Sequence, residues 1–335
     1  PEENILVVLT NKGYIKRTTS DTFKSQNRGG VGIKGMSTND EDFVEHMINL
    51  STHDYILFFT DKGKVYRLKG YEIPEFSRQS KGIPIVNLLQ VEKDERVNAV
   101  IQISREEECK YLLFATEGGV VKKTLISEFS NIRNSGKICI SLRENDKLID
   151  VKKTTGNDLV LLGSDSGRMV KFNEDEIRVM GRTASGVRGI SLDGSKCICS
   201  EIVKEDDTIL LVTEKGYGKQ TKVSEYRQTR RGSKGVKAMN ITDKNGSLVS
   251  VKIVYEGKEL VIMTNSGMTM RMPLEQISLL GRVTQGLRLI NLKDNQKVST
   301  ISLVDKEEEP DIVSEPTVNE TPSENTENIE VNEAE

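Results

Sequence analysis

Residues 55–63, YILFFTDKG, set an apolar hexamer closed by threonine against a polar turn ending in glycine. The same unit recurs along the chain: ILVVLT from Ile5, YLLFAT from Tyr111, LVLLGS from Leu159, TILLVT from Thr208 and ELVIMT from Glu259. Each run is short, rich in β-branched and aromatic residues and apolar at nearly every position. That pattern predicts a strand covered on both faces rather than a helix, which needs more length. Three residues after each closing Thr or Ser stands a glycine, Gly13, Gly63, Gly119, Gly167, Gly216 and Gly267, in turns such as TNKG, TDKG and TEKG that predict hairpins.

These glycines are 50, 56, 48, 49 and 51 residues apart. Propeller blades of four strands repeat at about 40–50 residues, close to this period, and no long helical pattern competes with it. A second glycine follows each first one, Gly32, Gly82, Gly136, Gly186, Gly235 and Gly286, at 19 residues in five units and 17 in the third. One blade cannot bury both its faces, so six of them stacked radially are the economical arrangement. The expected fold is all-β: a six-bladed disc over residues 1–305. Residues 306–335, with three of the seven prolines and few core formers, read as a disordered acidic tail.

The net charge of −3 conceals an uneven distribution. Residues 306–335 hold eleven acids and one base, whereas residues 1–305 carry 47 Lys and Arg against 40 Asp and Glu. A positive body is compatible with a polyanion partner if the cations share a face. Four residues after each hairpin glycine stand Arg17, Arg67, Lys123, Lys171, Gln220 and Arg271. Four before each second glycine stand Arg28, Arg78, Arg182, Arg231 and Arg282, with Arg133 one place off in the third unit. On equivalent blades two such columns become two rings of charge. Lys34, Lys81, Lys219, Arg230 and Lys234 complete the candidate rim. Glycine beside arginine lets backbone approach a phosphate. The alternative for any one arginine is a solvated surface residue or a bridge between blades.

Other chemistries find little footing. Gly30, Gly32 and Gly35 formally satisfy the dinucleotide fingerprint, but the following MSTNDED opens no amphipathic helix, and no phosphate loop of the NTPase kind is present. Cys109, Cys139, Cys197 and Cys199 form no CxxC pair, and His46 and His53 are the only histidines, so neither zinc nor a catalytic dyad is expected. Cys197 and Cys199, at strand spacing, read as a buried pair. No apolar run approaches the roughly 18 residues of a membrane helix and the start PEEN lacks a signal-peptide pattern, which predicts a cytoplasmic protein; a first residue Pro1 predicts a fragment.

The first unit contains QNRGGVG, namely Gln26, Asn27, Arg28, Gly29, Gly30, Val31 and Gly32, followed by IKGM. It resembles the box of the C-terminal domain of bacterial DNA gyrase A, whose usual form is QRRGGKG; Asn27 and Val31 depart from that form. QTRRGSKG, residues 228–235, is box-like too, and VTEKGYGK, GRTASGV and GRVTQGL are similar to the same family over about 305 residues. The resemblance implies a β-pinwheel, in which neighbouring blades exchange strands. It implies that the domain wraps double-stranded DNA for ATP-driven negative supercoiling, working with the rest of gyrase A and with gyrase B in an A2B2 heterotetramer. It further implies that catalysis, ATP and Mg2+ belong to those other parts and that this chain carries no cofactor. Two rival readings are the equivalent domain of topoisomerase IV, which binds DNA but wraps it poorly, and a protein-interaction propeller; the repeats lack WD and kelch signatures. The acidic tail is expected either to compete with DNA for the rim or simply to be solvated.

Overall fold

The computed structural model describes residues 1–19, 42, 44–293 and 295–306. The first unit forms β1 (Asn4–Thr10), β2 (Tyr14–Thr19) and β3 (Val44–Ser51). The second forms β4 (Tyr55–Thr60), β5 (Lys64–Lys69), β6 (Ile83–Pro84) and β7 (Val97–Ile103), and the third β8 (Tyr111–Thr116), β9 (Val120–Leu125), β10 (Lys137–Ile138) and β11 (Leu148–Thr154). The fourth forms β12 (Leu159–Ser164), β13 (Arg168–Asn173), β14 (Val187–Arg188) and β15 (Cys197–Val203). The fifth forms β16 (Thr208–Thr213), β17 (Tyr217–Lys222), β18 (Val236–Lys237) and β19 (Leu248–Ile253), and the sixth β20 (Lys258–Thr264), β21 (Thr269–Pro273), β22 (Leu287–Arg288) and β23 (Val298–Asp305). The six apolar hexamers are thus β1, β4, β8, β12, β16 and β20, and the chain makes six blades in a propeller-like ring.

The fourth strand of a blade comes from the unit that follows. The sheet orders are β3-β1-β2-β6, β10-β5-β4-β7, β11-β8-β9-β14, β15-β12-β13-β18 and β19-β16-β17-β22. Units therefore exchange strands, as the family resemblance implied and as the repeat spacing alone did not distinguish. The sixth sheet shows β21-β20-β23 among the described residues. Blade-to-blade contacts run through β3, β7, β11, β15, β19 and β23, which places these strands inside the disc and the exchanged strands at its outer edge.

The core lies between blades, which is why the hexamers are apolar on both faces. Ile5, Val7 and Leu9 pack against Ile56 and Phe58, Leu57 and Phe59 against Leu112 and Phe114, and Leu113 and Ala115 against Val160 and Leu162. Phe59, Phe114 and Phe129 make an aromatic cluster with ring centroids 5.5–6.0 Å apart. Cys197 and Cys199 are buried on β15, where burial raises both thiol pKa values, that of Cys197 to about 12.

The second glycines weld unit to unit. Gly235 has φ +72°, and a Cβ placed there would lie 2.1 Å from the Met169 carbonyl oxygen of the preceding blade, so both backbone conformation and close approach require glycine. The hairpin glycines contribute through their carbonyls: Gly119 accepts from the Gly189 amide at 2.8 Å and Gly167 from the Ala238 amide at 2.7 Å. The near-constant 19-residue spacing in the sequence is therefore the register between a hairpin and its second glycine, each clamped to a neighbouring unit.

Candidate nucleic-acid interface

The cation column four residues past the hairpin glycine belongs to the scaffold in large part. Lys123 and Lys171 are only 4% and 3% exposed. Lys123 Nζ donates to the Glu174 carbonyl at 3.0 Å and lies 3.8 Å from the Glu174 carboxylate. Lys171 Nζ pairs with both Glu205 oxygens at 2.9 and 3.0 Å and donates to the Val223 carbonyl at 3.3 Å. Gln220 does the same with an amide, reaching the Leu274 carbonyl at 2.9 Å and that of Ile277 at 3.1 Å. These acceptors lie on or beside short 3-10 turns, Glu174–Glu176, Val223–Glu225 and Leu274–Gln276, that sit one unit further along. The column therefore ties each strand to the next unit's turn. Dry carbonyls must find donors, and an inward-pointing lysine supplies one.

This corrects the sequence expectation for Lys123 and Lys171, and Lys219, fully buried, joins them. None of the three ammonium groups is at the rim, because β9, β13 and β17 are covered on both faces. The column's arginines are engaged as well. Arg67 donates to the Ser130 carbonyl and lies 4.1 Å over the Tyr55 ring, and Arg271 pairs with Glu259 and donates to the Asp305 carbonyl at 2.9 Å. Arg17 is half-buried on β2, its backbone paired with Pro74 and Phe76.

The second column lies further out and is partly spoken for. Arg182 donates to the Ile138 carbonyl, Arg231 to that of Arg188 at 2.7 Å and Arg282 to that of Lys237 at 2.5 Å. Each acceptor is the last residue of the exchanged strand belonging to the preceding unit. Arg231 Nε also donates to the Glu176 carbonyl at 3.1 Å. Arg78, Arg182, Arg231 and Arg282 are half-buried, and the last three are pinned at the outer edge without being enclosed. A guanidinium carries five N–H donors, and one or two such bonds leave the rest to face outward. Lys81 lies 4.2 Å over the Tyr14 ring, Arg230 is exposed, and exposed Lys234 pairs with Asp193 at 2.9 Å. Gln26, Asn27, Arg28, Gly29, Gly30, Val31, Gly32 and Lys34 lie outside the described residues.

A third column escaped the sequence reading. The exchanged strands β10, β14, β18 and β22 each present an exposed cation, Lys137, Arg188, Lys237 and Arg288. Three of these stand two residues after the second glycine and Lys137 stands one after, in register with the repeat. The signal was present, but it marks a rim only once these two-residue strands are known to form the outermost edge. Loop arginine and strand cation of adjoining units thus stand close together along the outer edge.

A family model described as the DNA gyrase C-terminal domain, beta-propeller, matches residues 4–51, 54–104, 110–155, 158–198, 207–254 and 258–305, one segment per blade. The DNA gyrase A polypeptide of Staphylococcus epidermidis (strain ATCC 12228 / FDA PCI 1200) is 48% identical over 313 residues, covering 92% of this chain and 35% of the relative. The same polypeptide of Staphylococcus aureus (strain MRSA252) is 46% identical over 325 residues, covering 94% and 37%. The chain thus spans about a third of the length of these relatives. Among solved structures, a C-terminal domain of DNA topoisomerase IV superposes with a TM-score of 0.79 at 25% identity, covering 91% of this chain and 94% of that one. A DNA gyrase A C-terminal domain superposes at 0.70 and 28% identity, covering 90% and 99%. With all six blades matched in register, the chain belongs to the DNA gyrase C-terminal domain family.

Proposed function

We propose that the outer rim binds duplex DNA, curves it around the disc with a fixed handedness and presents a segment for strand passage, as the C-terminal domain of gyrase A in a bacterial DNA gyrase. On this reading the chain alone catalyses nothing. Active-site groups, ATP and Mg2+ reside on the remainder of gyrase A and on gyrase B within an A2B2 assembly, in the cytoplasm at the nucleoid. The observation that carries the reading is the register of Lys137, Arg188, Lys237 and Arg288 on the exchanged strands with the loop arginines beside them. Repeated phosphate contacts along a curved path offset the elastic cost of bending, about 1–6 kcal/mol per 20–30 base pairs.

If about ten phosphates are neutralised, log affinity falls against log salt with a slope near −9. A slope shallower than about −3 is incompatible with a rim of this kind. A second reading, DNA binding with little wrapping, is favoured by the superposition on the topoisomerase IV domain. Ligating nicked plasmid circles in the presence of the chain separates the two. A dose-dependent positive linking-number shift supports wrapping, retardation without a shift supports the second reading, and no retention of duplex at low salt refutes both.

A further inference from the structure

Lys16, Lys122 and Lys219 stand three residues after the hairpin glycines of the first, third and fifth units and are 2%, 0% and 0% exposed. Each ammonium reaches across to the arginine loop of the next unit. Lys16 Nζ donates to the carbonyls of Ser77 at 3.1 Å, Arg78 at 2.7 Å and Ser80 at 2.9 Å. Lys122 Nζ donates to those of Arg182 at 2.7 Å, Gly181 at 3.4 Å and Cys139. Lys219 Nζ donates to those of Arg282 and Gly281, both at 2.9 Å, and Thr284 at 3.0 Å. In the second, fourth and sixth units the same position holds Tyr66, Val170 and Met270. None of these supplies an ammonium, and the fifth unit's arginine loop is organised differently. There Gly232, at φ +83°, donates its amide to the Gly189 carbonyl at 2.8 Å.

We infer that Lys16, Lys122 and Lys219 are positioning residues for the rim: each fixes the backbone of one arginine loop, so that Arg78, Arg182 and Arg282 meet the phosphate backbone from ammonium-held loops in alternate units. The inference rests on the rim reading of the preceding subsection and adds residues that never touch DNA.

Two physical points support it. Burying an ammonium is costly, so it persists where several dry carbonyls would otherwise be orphaned, and here those carbonyls include that of the loop arginine itself. Around Lys122 the arrangement closes on itself: Lys122 holds the carbonyls of Arg182 and Cys139, and the Arg182 guanidinium binds the adjacent Ile138 carbonyl. Backbone and side chain of the arginine are thereby set from one point. Burial, and after it the charge of Arg78, lowers the pKa of Lys16 to about 8; burial likewise brings Lys122 and Lys219 to about 8, with Arg182 and Arg282 among the lesser causes.

The test is a double-mutant cycle on duplex affinity, measured against salt with the 335-residue chain carrying Lys122→Met, Arg182→Ala or both. Thermal melting is recorded alongside. If the lysine acts through the arginine, each single change lowers affinity and removes about 0.9 from the magnitude of the salt slope, and the double variant loses no more than either alone. Losses that multiply overturn the inference, as does a Lys122→Met chain that melts lower but keeps affinity and slope. The Lys219→Met and Arg282→Ala pair repeats the cycle in another unit, so a variant that fails to fold at one site leaves the other to decide. An unsubstituted chain that shows no salt-dependent binding refutes the rim reading and this inference with it; normal binding with a multiplicative cycle refutes this inference alone.

Discussion

The third and sixth blades grow from the same repeat and differ at the outer edge. In the third, β9 pairs with β14 of the following unit, Val187 opposite Val121 and Arg188 opposite Val120, and Val120 and Val121 are buried. In the sixth, β21 shows no fourth strand among the described residues, and Met268, at the position of Val120, is 41% exposed. In the third blade, then, burial of Val120 and Val121 goes with the strand that the following unit contributes. The first five blades are each completed by the unit that follows, and stability is shared between units as in other repeat architectures.

Core truncation gives the largest expected effect on this contrast. Phe114 is fully buried between the second and third blades, in edge contact with Phe59 at 5.5 Å, and Phe114→Ala is expected to cost about 3–5 kcal/mol. Met272 belongs to the core shared by the fifth and sixth blades and is 8% exposed. Met272 is a flexible, slightly exposed side chain, so the site collapses more easily and Met272→Ala is expected near the low end of its range, about 2 kcal/mol. Urea denaturation of the two variants measures both. Equal losses would break the comparison, because they would mean that the sixth blade holds its core as rigidly as the third.

An intermediate effect comes from the buried lysines. With folded values of about 8 against 10.5 unfolded, Lys16, Lys122 and Lys219 hold fewer protons in the native state than in the unfolded state between those limits. Stability from these groups therefore rises as pH goes from about 8 to 10.5, by at most about 3 kcal/mol per lysine. The charged groups with which they interact are Arg78 for Lys16, Glu128 and Arg182 for Lys122, and Glu225 and Arg282 for Lys219; the Cys139 thiol, raised by burial to about 12, also faces Lys122. Urea midpoints of the unsubstituted chain and of Lys122→Met, compared at pH 7.5 and pH 10, isolate the contribution of one lysine. The unsubstituted chain should gain more than the variant on going to pH 10, and parallel profiles would place the Lys122 ammonium in water instead.

Much of the fold was legible because it rests on backbone rules. The hexamers became strands with nearly the same bounds, and the hairpin glycines all adopt positive φ, as do the second glycines among the described residues. Burial of charge was not legible. The repeat column places Lys123 on the rim, yet Lys123 and its neighbour Lys122 point to opposite faces of β9 and are both buried, since each face is covered by an adjoining unit that offers bare carbonyls. A recurring cation column therefore signals a recurring environment, and only the folded arrangement says whether that environment is carbonyl oxygen or open surface. Arg188, Lys237 and Arg288 had the same regularity and drew no notice, because a two-residue strand has no period to detect.

The smallest effect on stability carries the most weight for function. Lys237 is exposed on β18, its backbone opposite Arg168, and no hydrogen bond or ion pair of its ammonium is seen among the described residues; its carbonyl accepts from Arg282. Lys237→Gln keeps that carbonyl and removes only a surface charge, so folding stability should change by less than about 0.5 kcal/mol. Duplex affinity should fall at every sequence tested, with about 0.9 lost from the magnitude of the salt slope, as for one phosphate contact. Lys123→Met offers the opposite profile: it leaves the buried Glu174 carboxylate without its cation, at a cost of several kcal/mol, while the rim charge that DNA meets is unchanged. If Lys237→Gln leaves the slope untouched and a folded Lys123→Met chain lowers it, the assignment of outer strand to DNA and inner column to scaffold is reversed, and the disc must be entered by DNA from another side.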